Sequence, residues 1–259
     1  MPKPKAISIV DGWPIHLASL TEAVTEISQS AAAGESFTVF TLNLDHLQKL
    51  RHSEGFRNAY ATATYVTADG APIAMLASRS GKRVERTTGA DLVLPLSKRA
   101  AQEQIPVYLF GSSTDVLKRA AAKLRDSTNN HLVIAGMEAP PQGFDPDGPC
   151  AIAALDRIKA SNAKLCFVAL GAPKQELFAA KAIERQIGCG FICIGAGLDF
   201  LANTQVRAPH LMQRIGLEWL WRLGSNPARL GPRYLRCALV LLDIALINPL
   251  NGIFAPRRT

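Results

Sequence analysis

What the 259-residue chain lacks narrows its chemistry first. Its five cysteines (150, 166, 189, 193, 237) form no CxxC pair, and Cys166, Cys189 and Cys193 lie in or beside apolar runs. That is the pattern of buried, reduced thiols in a cytoplasmic protein. The five histidines (16, 46, 52, 131, 210) show no HExxH or other ligand spacing, and no serine stands in a Gly-x-Ser-x-Gly elbow. Zinc hydrolysis and triad chemistry are thereby excluded. Gly195-Ala-Gly197 begins like a dinucleotide fingerprint, but Phe200 fills the place of the third glycine and no βαβ unit with a distal acid follows. A nicotinamide cofactor is not expected. A long apolar run is missing too. Cys237–Leu250 spans 14 residues and ends in Asn248-Pro249, short of the roughly 20 a spanning helix needs, so the run is expected to lie on a membrane or pack on the protein. Near the N-terminus Asp11 and Gly12 stand where a signal peptide would have its apolar core, which argues against export.

The charge that is present is unevenly placed. Of the formal +8, Arg207–Thr259 carries +6, from eight arginines against Glu218 and Asp243. A basic chain raises nucleic acid first, yet nucleic-acid modules tend to interleave basic residues with exposed aromatics and phosphate-binding loops. Here the arginines flank the apolar run, a combination that favours an anionic lipid surface and argues against nucleic acid.

With 48% hydrophobic residues, the chain can bury a full core. The runs 37–42, 64–67, 107–110, 132–135, 165–170 and 191–194 are apolar without alternation. They are separated by stretches of helical length, among them 20–33, 45–57, 114–125, 152–160 and 174–187. This predicts an α/β fold, a Rossmann-like, mostly parallel sheet with helices on both faces. Beyond about Gln205 the character changes to arginine-rich helices, which predicts a core over 1–205 and a basic, partly apolar helical appendage over 206–259.

Ligands of such sheets bind at the carboxyl ends of the strands. The candidates are therefore Asn43, Asp69, Gly111-Ser-Ser113, Gly136, Gly171–Glu176 and Gly195–Asp199. Asp69-Gly70 is an ordinary turn pair, but a carboxylate there can deprotonate a hydroxyl if Thr41 or Asn43, at the neighbouring strand end, orients it. Arg86-Thr-Thr-Gly89 reads as a helix start capped by Thr88, or as a place where Arg86 meets an anion. Asp145-Pro-Asp147 resembles the paired aspartates that carry a metal-bound sugar nucleotide, yet it is also a common turn sequence.

Several segments occur in one order: Thr41-Leu-Asn-Leu-Asp45, Ala68-Asp-Gly70, Arg86-Thr-Thr-Gly-Ala-Asp91, Leu109-Phe-Gly111, Ala169–Glu176, Gly195–Phe200, Arg207-Ala-Pro209 and Leu217–Arg222. Together they resemble the WecG/TagA/CpsF glycosyltransferases (glycosyltransferase family 26), from about residue 8 to Tyr234.

The resemblance implies an inverting transfer, with no required metal or other cofactor, of a hexose-type sugar from a UDP-sugar to a sugar carried on a polyprenyl diphosphate. Such transfer builds exopolysaccharide or another cell-surface glycopolymer. It makes Asp69 the base, matches Thr41 and Asn43 beside it, and puts Gln175 and Asp199, with Gly171 and Gly195, on the donor side. It assigns Arg222, Arg229 and Arg233, together with Arg86, to the diphosphate and acceptor. The basic appendage would close over the site and hold the enzyme peripherally on the inner face of the cytoplasmic membrane. Asn203 and Val206 stand where many members have glycine and a basic residue, which leaves the donor open between UDP-glucose, favoured by Asn43-Leu-Asp-His46, and UDP-N-acetylmannosamine or its uronic acid. A homo-oligomer is compatible with the sequence. A reading of another class, a non-catalytic basic protein binding anionic lipid or nucleic acid, accounts for the tail but leaves Asp69, Gln175 and Asp199 without a task.

Overall fold

Asp11 and Gly12, both at positive φ (49° and 82°), turn Ser8–Val10 (β1) back on Trp13–Ile15 (β2) as a small antiparallel hairpin. This is the Asp-Gly hairpin signal, ahead of the apolar runs from which the sheet is predicted. The structure is a computed structural model and describes residues 4–209, 211–212, 218–225 and 227–244.

A helix, Leu20–Ala32 (α1), leads into Phe37–Leu42 (β3), which is buried at every position. The stretch 45–57, read from sequence as one helix, is two: Leu44–His52 (α2) and Glu54–Ala61 (α3). Ser53 divides them. It ends α2 in an extended conformation (φ −121°, ψ 114°), and its hydroxyl accepts the Phe56 N–H to start α3. Tyr65–Ala68 (β4), Ala71–Ser78 (α4) and Gly89–Gln102 (α5) follow, then Val107–Gly111 (β5), Thr114–Ser127 (α6) and Ile134–Glu138 (β6). The apolar run 132–135 predicts this last strand, but pairing with β5 covers Ile134–Glu138. Leu132 is buried ahead of it, in the core beside α6. Pro149–Ala160 (α7), Leu165–Ala169 (β7), Lys174–Glu184 (α8), Gly190–Cys193 (β8) and Gly197–Leu201 (α9) complete the alternation.

The six strands from β3 to β8 form one parallel sheet in the order β4-β3-β8-β7-β5-β6. Alternate side chains feed two cores. Phe40, Leu42, Val66, Phe110, Val168 and Phe191 meet α2, α3, α4, α7 and α8, while Phe37, Val39, Leu109, Phe167 and Ile192 meet α1, α5, α6 and α9. The chain leaves β5 towards β6 and leaves β7 towards β8, in opposite directions along the sheet. The crevice between those strand ends is the switch point where ligands of open α/β sheets sit.

Two further helices are described, Glu218–Ser225 (α10) and Pro227–Leu242 (α11). Cys237, Val240 and Ile244 are buried, the last two in the core that α2 shares. The opposite face of α11 shows Leu235, Leu239 and Leu242 at 65%, 59% and 51% exposure. Arg51 of α2 ties the arrangement together, bonding Asp11 in the hairpin turn at 2.8 Å and Asp243 at 2.7 Å. The described part of the run 237–250 thus both packs on the protein and presents an apolar ridge, and no helix among the described residues is long and apolar enough to cross a membrane.

Candidate active site

The carboxyl ends of β4, β3, β8, β7 and β5 lie in a row. With neighbouring strands about 4.8 Å apart, Asp69 at one end and Ser112 at the other are separated by roughly 19 Å along it. Most candidates read from the sequence fall on this row.

At the β4 end, Asn43 caps α2, its Oδ1 accepting the His46 N–H at 2.9 Å. With the oxygen committed to the cap, the amide can turn only Nδ2 outward, and that nitrogen donates to Asp69 Oδ2 at 3.2 Å. The Asp69 N–H donates to the Leu42 carbonyl at 2.8 Å, and Gly70, at φ 89°, makes the sharp entry into α4. Thr41 is buried on β3, in register with Thr67, and alternation turns it to the face of Phe37 and Val39. Just beyond β3, Asn43 provides a hydrogen bond to the Asp69 carboxylate.

The loop after α4 is drawn to the same place. Thr67 Oγ1 donates to the Thr87 carbonyl, and the Thr87 N–H to that of Ala68, both at 2.8 Å. Thr88 caps α5 as expected, in a reciprocal capping box with Asp91. Arg86 pairs with carboxylates of the chain itself, Asp91 at 3.4 Å and Glu218 of α10 at 3.8 Å. Arg207 bonds Asp91 at 2.6 Å and lies over the Phe200 ring at 5.8 Å. Burial alone would raise the Asp91 carboxyl, but Arg207 and Arg86 outweigh it and hold it below the usual carboxylate range. In the sequence Asp91 and Arg207 stand only as parts of separate motifs, and what joins them is a contact across 116 positions of chain.

Nearer the middle of the row, Gln175 Oε1 accepts the Gly195 N–H at 3.0 Å, and its Nε2 donates to Glu176 at 2.7 Å. Gly195 has φ 54°, a left-handed conformation. Gly171 is exposed and its carbonyl accepts the Lys174 N–H at the start of α8. A Cβ there would meet nothing within 4 Å, so the open space on that side is available to a ligand. At the switch point Ser112 donates to Asp199 at 3.2 Å. The close approach of β5 and β7 there depends on Gly111, where a Cβ would stand 2.3 Å from the Ala169 oxygen.

Beneath the row, Glu176, the last residue of the candidate segment Gly171–Glu176, joins His46 and Tyr60 in a buried polar group. Glu176 is fully buried, with one oxygen 3.8 Å from His46 Nε2, and His46 Nδ1 is 2.7 Å from the Tyr60 hydroxyl. The spacing is that of an ion pair, but burial neutralises both members, pushing Glu176 up to about 7 and His46 down to about 3.

Arg233 of α11 bonds Asp45 at 3.0 Å, and Lys49 pairs with the same carboxylate. Burial opposes the charge on Asp45, but Arg233 and Lys49 prevail and keep its carboxyl low. Asp45 sits in the first turn of the helix that Asn43 caps, so Arg233 docks close to the Asn43–Asp69 pair. Arg222 and Arg229 fall in α10 and α11, and their side chains lie outside the described residues. Asp145 and Asp147 follow β6, at the sheet edge opposite Asp69, and form a turn in which the Asp145 carboxylate accepts the Asp147 N–H at 3.0 Å.

Compared with known protein families, residues 7–252 match the glycosyl transferase WecG/TagA/CpsF family. That family's chemistry uses a nucleotide-sugar donor and a lipid-linked acceptor, and a row of strand ends with a carboxylate at one end and a switch-point crevice at the other can accommodate such a pair. The chain belongs to the WecG/TagA/CpsF glycosyltransferase family, enzymes that transfer a sugar in cell-surface polysaccharide synthesis.

Proposed function

We propose that the protein transfers a hexose-type sugar from a UDP-sugar to a sugar on a polyprenyl diphosphate, with inversion, using Asp69 as general base. The observation that carries this reading is the Asn43–Asp69 hydrogen bond. A group whose own oxygen is tied to a helix cap holds the carboxylate through Oδ2, at the strand end where an acceptor hydroxyl would meet it. Asp69 takes that proton as the hydroxyl oxygen attacks the anomeric carbon, and the bond from carbon to the UDP oxygen breaks on the opposite face. Negative charge then gathers on the leaving diphosphate. Arg233, Arg222, Arg229 and Arg86, with the N-terminal N–H groups of α8, are the groups we assign to it. Gln175, Gly195, Gly171 and Asp199 take the donor, and Thr41 supports the base from the floor of the site.

The mechanism routes no step through a metal. Supporting this, the paired aspartates are engaged in a turn at the far edge of the sheet. We take 1–205 as the catalytic core and 206–259 as an appendage that closes the site and rests peripherally on the anionic inner face of the cytoplasmic membrane. The exposed Leu235, Leu239 and Leu242 ridge beside arginines supports that role. UDP-glucose is the donor we place first. Release of UDP on mixing the full chain with a UDP-sugar and a polyprenyl-diphosphate-linked sugar tests the assignment. UDP-glucose, UDP-N-acetylmannosamine and its uronic acid should be compared as donors. Absence of UDP release and of UDP binding with every donor would overturn it in favour of a binding protein.

A further inference from the structure

The mechanism above makes no use of the most deeply buried acid in the chain. Glu176 is 0% exposed, follows directly on a residue assigned to the donor, and one of its oxygens, Oε2, has no hydrogen-bond partner among the described residues. Burying a carboxyl group with one oxygen unpartnered is costly. Its other oxygen accepts the Gln175 Nε2 at 2.7 Å, while Gln175 Oε1 accepts the Gly195 N–H at 3.0 Å.

A side-chain amide has one acceptor end and one donor end. If the Gln175 amide were rotated by half a turn, its NH2 would face the Gly195 N–H, donor against donor, and its oxygen would face the carboxyl oxygen. The Gly195 N–H and an acceptor at the position of Glu176 Oε1 together select the orientation observed. Gly195, at φ 54°, opens the turn into α9, from which Asp199 reaches Ser112 at the switch point. The chain of contacts therefore runs from a buried carboxyl to the backbone of the loop that faces the crevice.

We propose that Glu176 is the positioning residue of the donor loop, holding the Gln175 amide in the one orientation in which its oxygen can accept the Gly195 N–H. The role assigned to that loop rests on the donor reading above. Glu176 acts as the neutral acid: its carbonyl oxygen accepts from Gln175 and its proton resides on the other oxygen. Ionisation places in the core a charge that the Gln175 amide, the Glu176 N–H and Lys49 offset only in part, and the segment relaxes to admit water, releasing Gln175 from Gly195.

The surrounding groups leave Glu176 alone to titrate near neutrality. From α2 it faces His46, with Asp45 and Lys49 nearby, from α3 Tyr60, and from β8 Cys193, itself in the field of Cys166 of β7. Burial holds His46 neutral down to about 3 and pushes the Tyr60 hydroxyl and both thiols well above their usual values. Asp45 stays ionised through Arg233 and Lys49. Glu176, pushed up to about 7 by burial, is the group that changes state in the range where the enzyme would work.

The test compares wild type, Glu176→Gln and Glu176→Met in the full chain. Gln keeps the acceptor oxygen and a donor in place of the acid proton, and cannot ionise. Met keeps the bulk and removes the acceptor. Hydrogen-exchange protection of the Gly195 amide, corrected for intrinsic rate, should fall about tenfold in wild type between pH 6 and 8. It should stay high in Glu176→Gln and be low throughout in Glu176→Met. The KM for UDP-sugar should follow the same pattern, with kcat changed far less. A wild-type pH profile retained in Glu176→Gln, or Gly195 as protected in folded Glu176→Met as in wild type, would overturn the proposal. If Glu176→Met fails to fold, the Gln variant decides. The exchange measurement needs no donor, so failure of the UDP-sugar reading would show separately as absence of UDP binding by wild type at every pH.

Discussion

Asn43 stands between a helix and a carboxylate: its oxygen caps α2 through the His46 N–H while its nitrogen holds Asp69 at 3.2 Å. The same side chain thus sets where α2 begins and how the Asp69 carboxylate is held at the end of β4.

Replacing Asp69 with Asn preserves volume and turn conformation and removes the base. Turnover should fall by roughly 100-fold or more, the range of general-base loss, with UDP affinity unchanged in calorimetry. Asn43→Ala should lower kcat less and also destabilise the fold by about 1 kcal/mol through the lost cap. A near wild-type rate in Asp69→Asn would remove the residue from the mechanism.

The difference between what could and could not be read from the sequence follows from range. β3, β5, β7 and β8 are legible because both faces of each are covered, which leaves continuous apolar runs. The edge strand β6 is only half-buried along its length, and the apolar residues before it mislead. Asn43, Asp69, Gln175, Gly195 and Asp199 follow from the rule that ligands meet strand ends. The Arg207–Asp91 pair and the docking of Arg233 on Asp45 do not, since no local period links residues so far apart in the chain. The break at Ser53 escapes notice for another reason: one serine both ends α2 and caps α3, and the helical pattern reads straight through it.

Chelation should leave activity intact. The proposed mechanism meets the diphosphate charge with guanidinium groups and backbone N–H groups, and the Asp145–Asp147 turn lies about five strand spacings, roughly 24 Å, from the Asp69 edge. Assays with and without EDTA should agree. Loss of activity with rescue by Mn²⁺ or Mg²⁺ would bring a metal into the mechanism.

The buried His46–Glu176 pair makes a signed prediction for stability. His46 is lowered on folding from 6.5 to about 3, so its contribution is complete above 6.5 and is lost as pH falls towards 3. Glu176 is raised from 4.5 to about 7, so its contribution is complete below 4.5 and is lost as pH rises through 7. Between 4.5 and 6.5 the unfolded chain holds the proton on histidine and the folded chain holds it on glutamate. The two slopes then cancel. In Glu176→Gln the histidine slope remains, so the variant should gain about 1 kcal/mol per pH unit relative to wild type across that window. Urea unfolding of both proteins at pH 5 and 6.5 measures this, and equal pH dependence would show that the pair is not neutral in the folded state.

Membrane association should be peripheral and depend on both charge and the leucine ridge. Leu235, Leu239 and Leu242 share one face of α11, while Cys237, Val240 and Ile244 on the other face are already buried against the protein. The helix can therefore touch a bilayer without leaving the core. The segment from Arg207 onward carries a net +6, and each basic residue near an anionic surface contributes about 1 kcal/mol. Those charges are screened over about 8 Å at physiological ionic strength, so high salt should release much of the protein from vesicles containing anionic lipid. Changing the three leucines to serine should weaken binding further while leaving unfolding transitions nearly unchanged, because the side chains removed are exposed. Cosedimentation with anionic and neutral vesicles, in low and high salt, separates the two contributions. Equal binding to neutral vesicles, unaffected by salt and by the leucine changes, would refute this surface as the membrane contact.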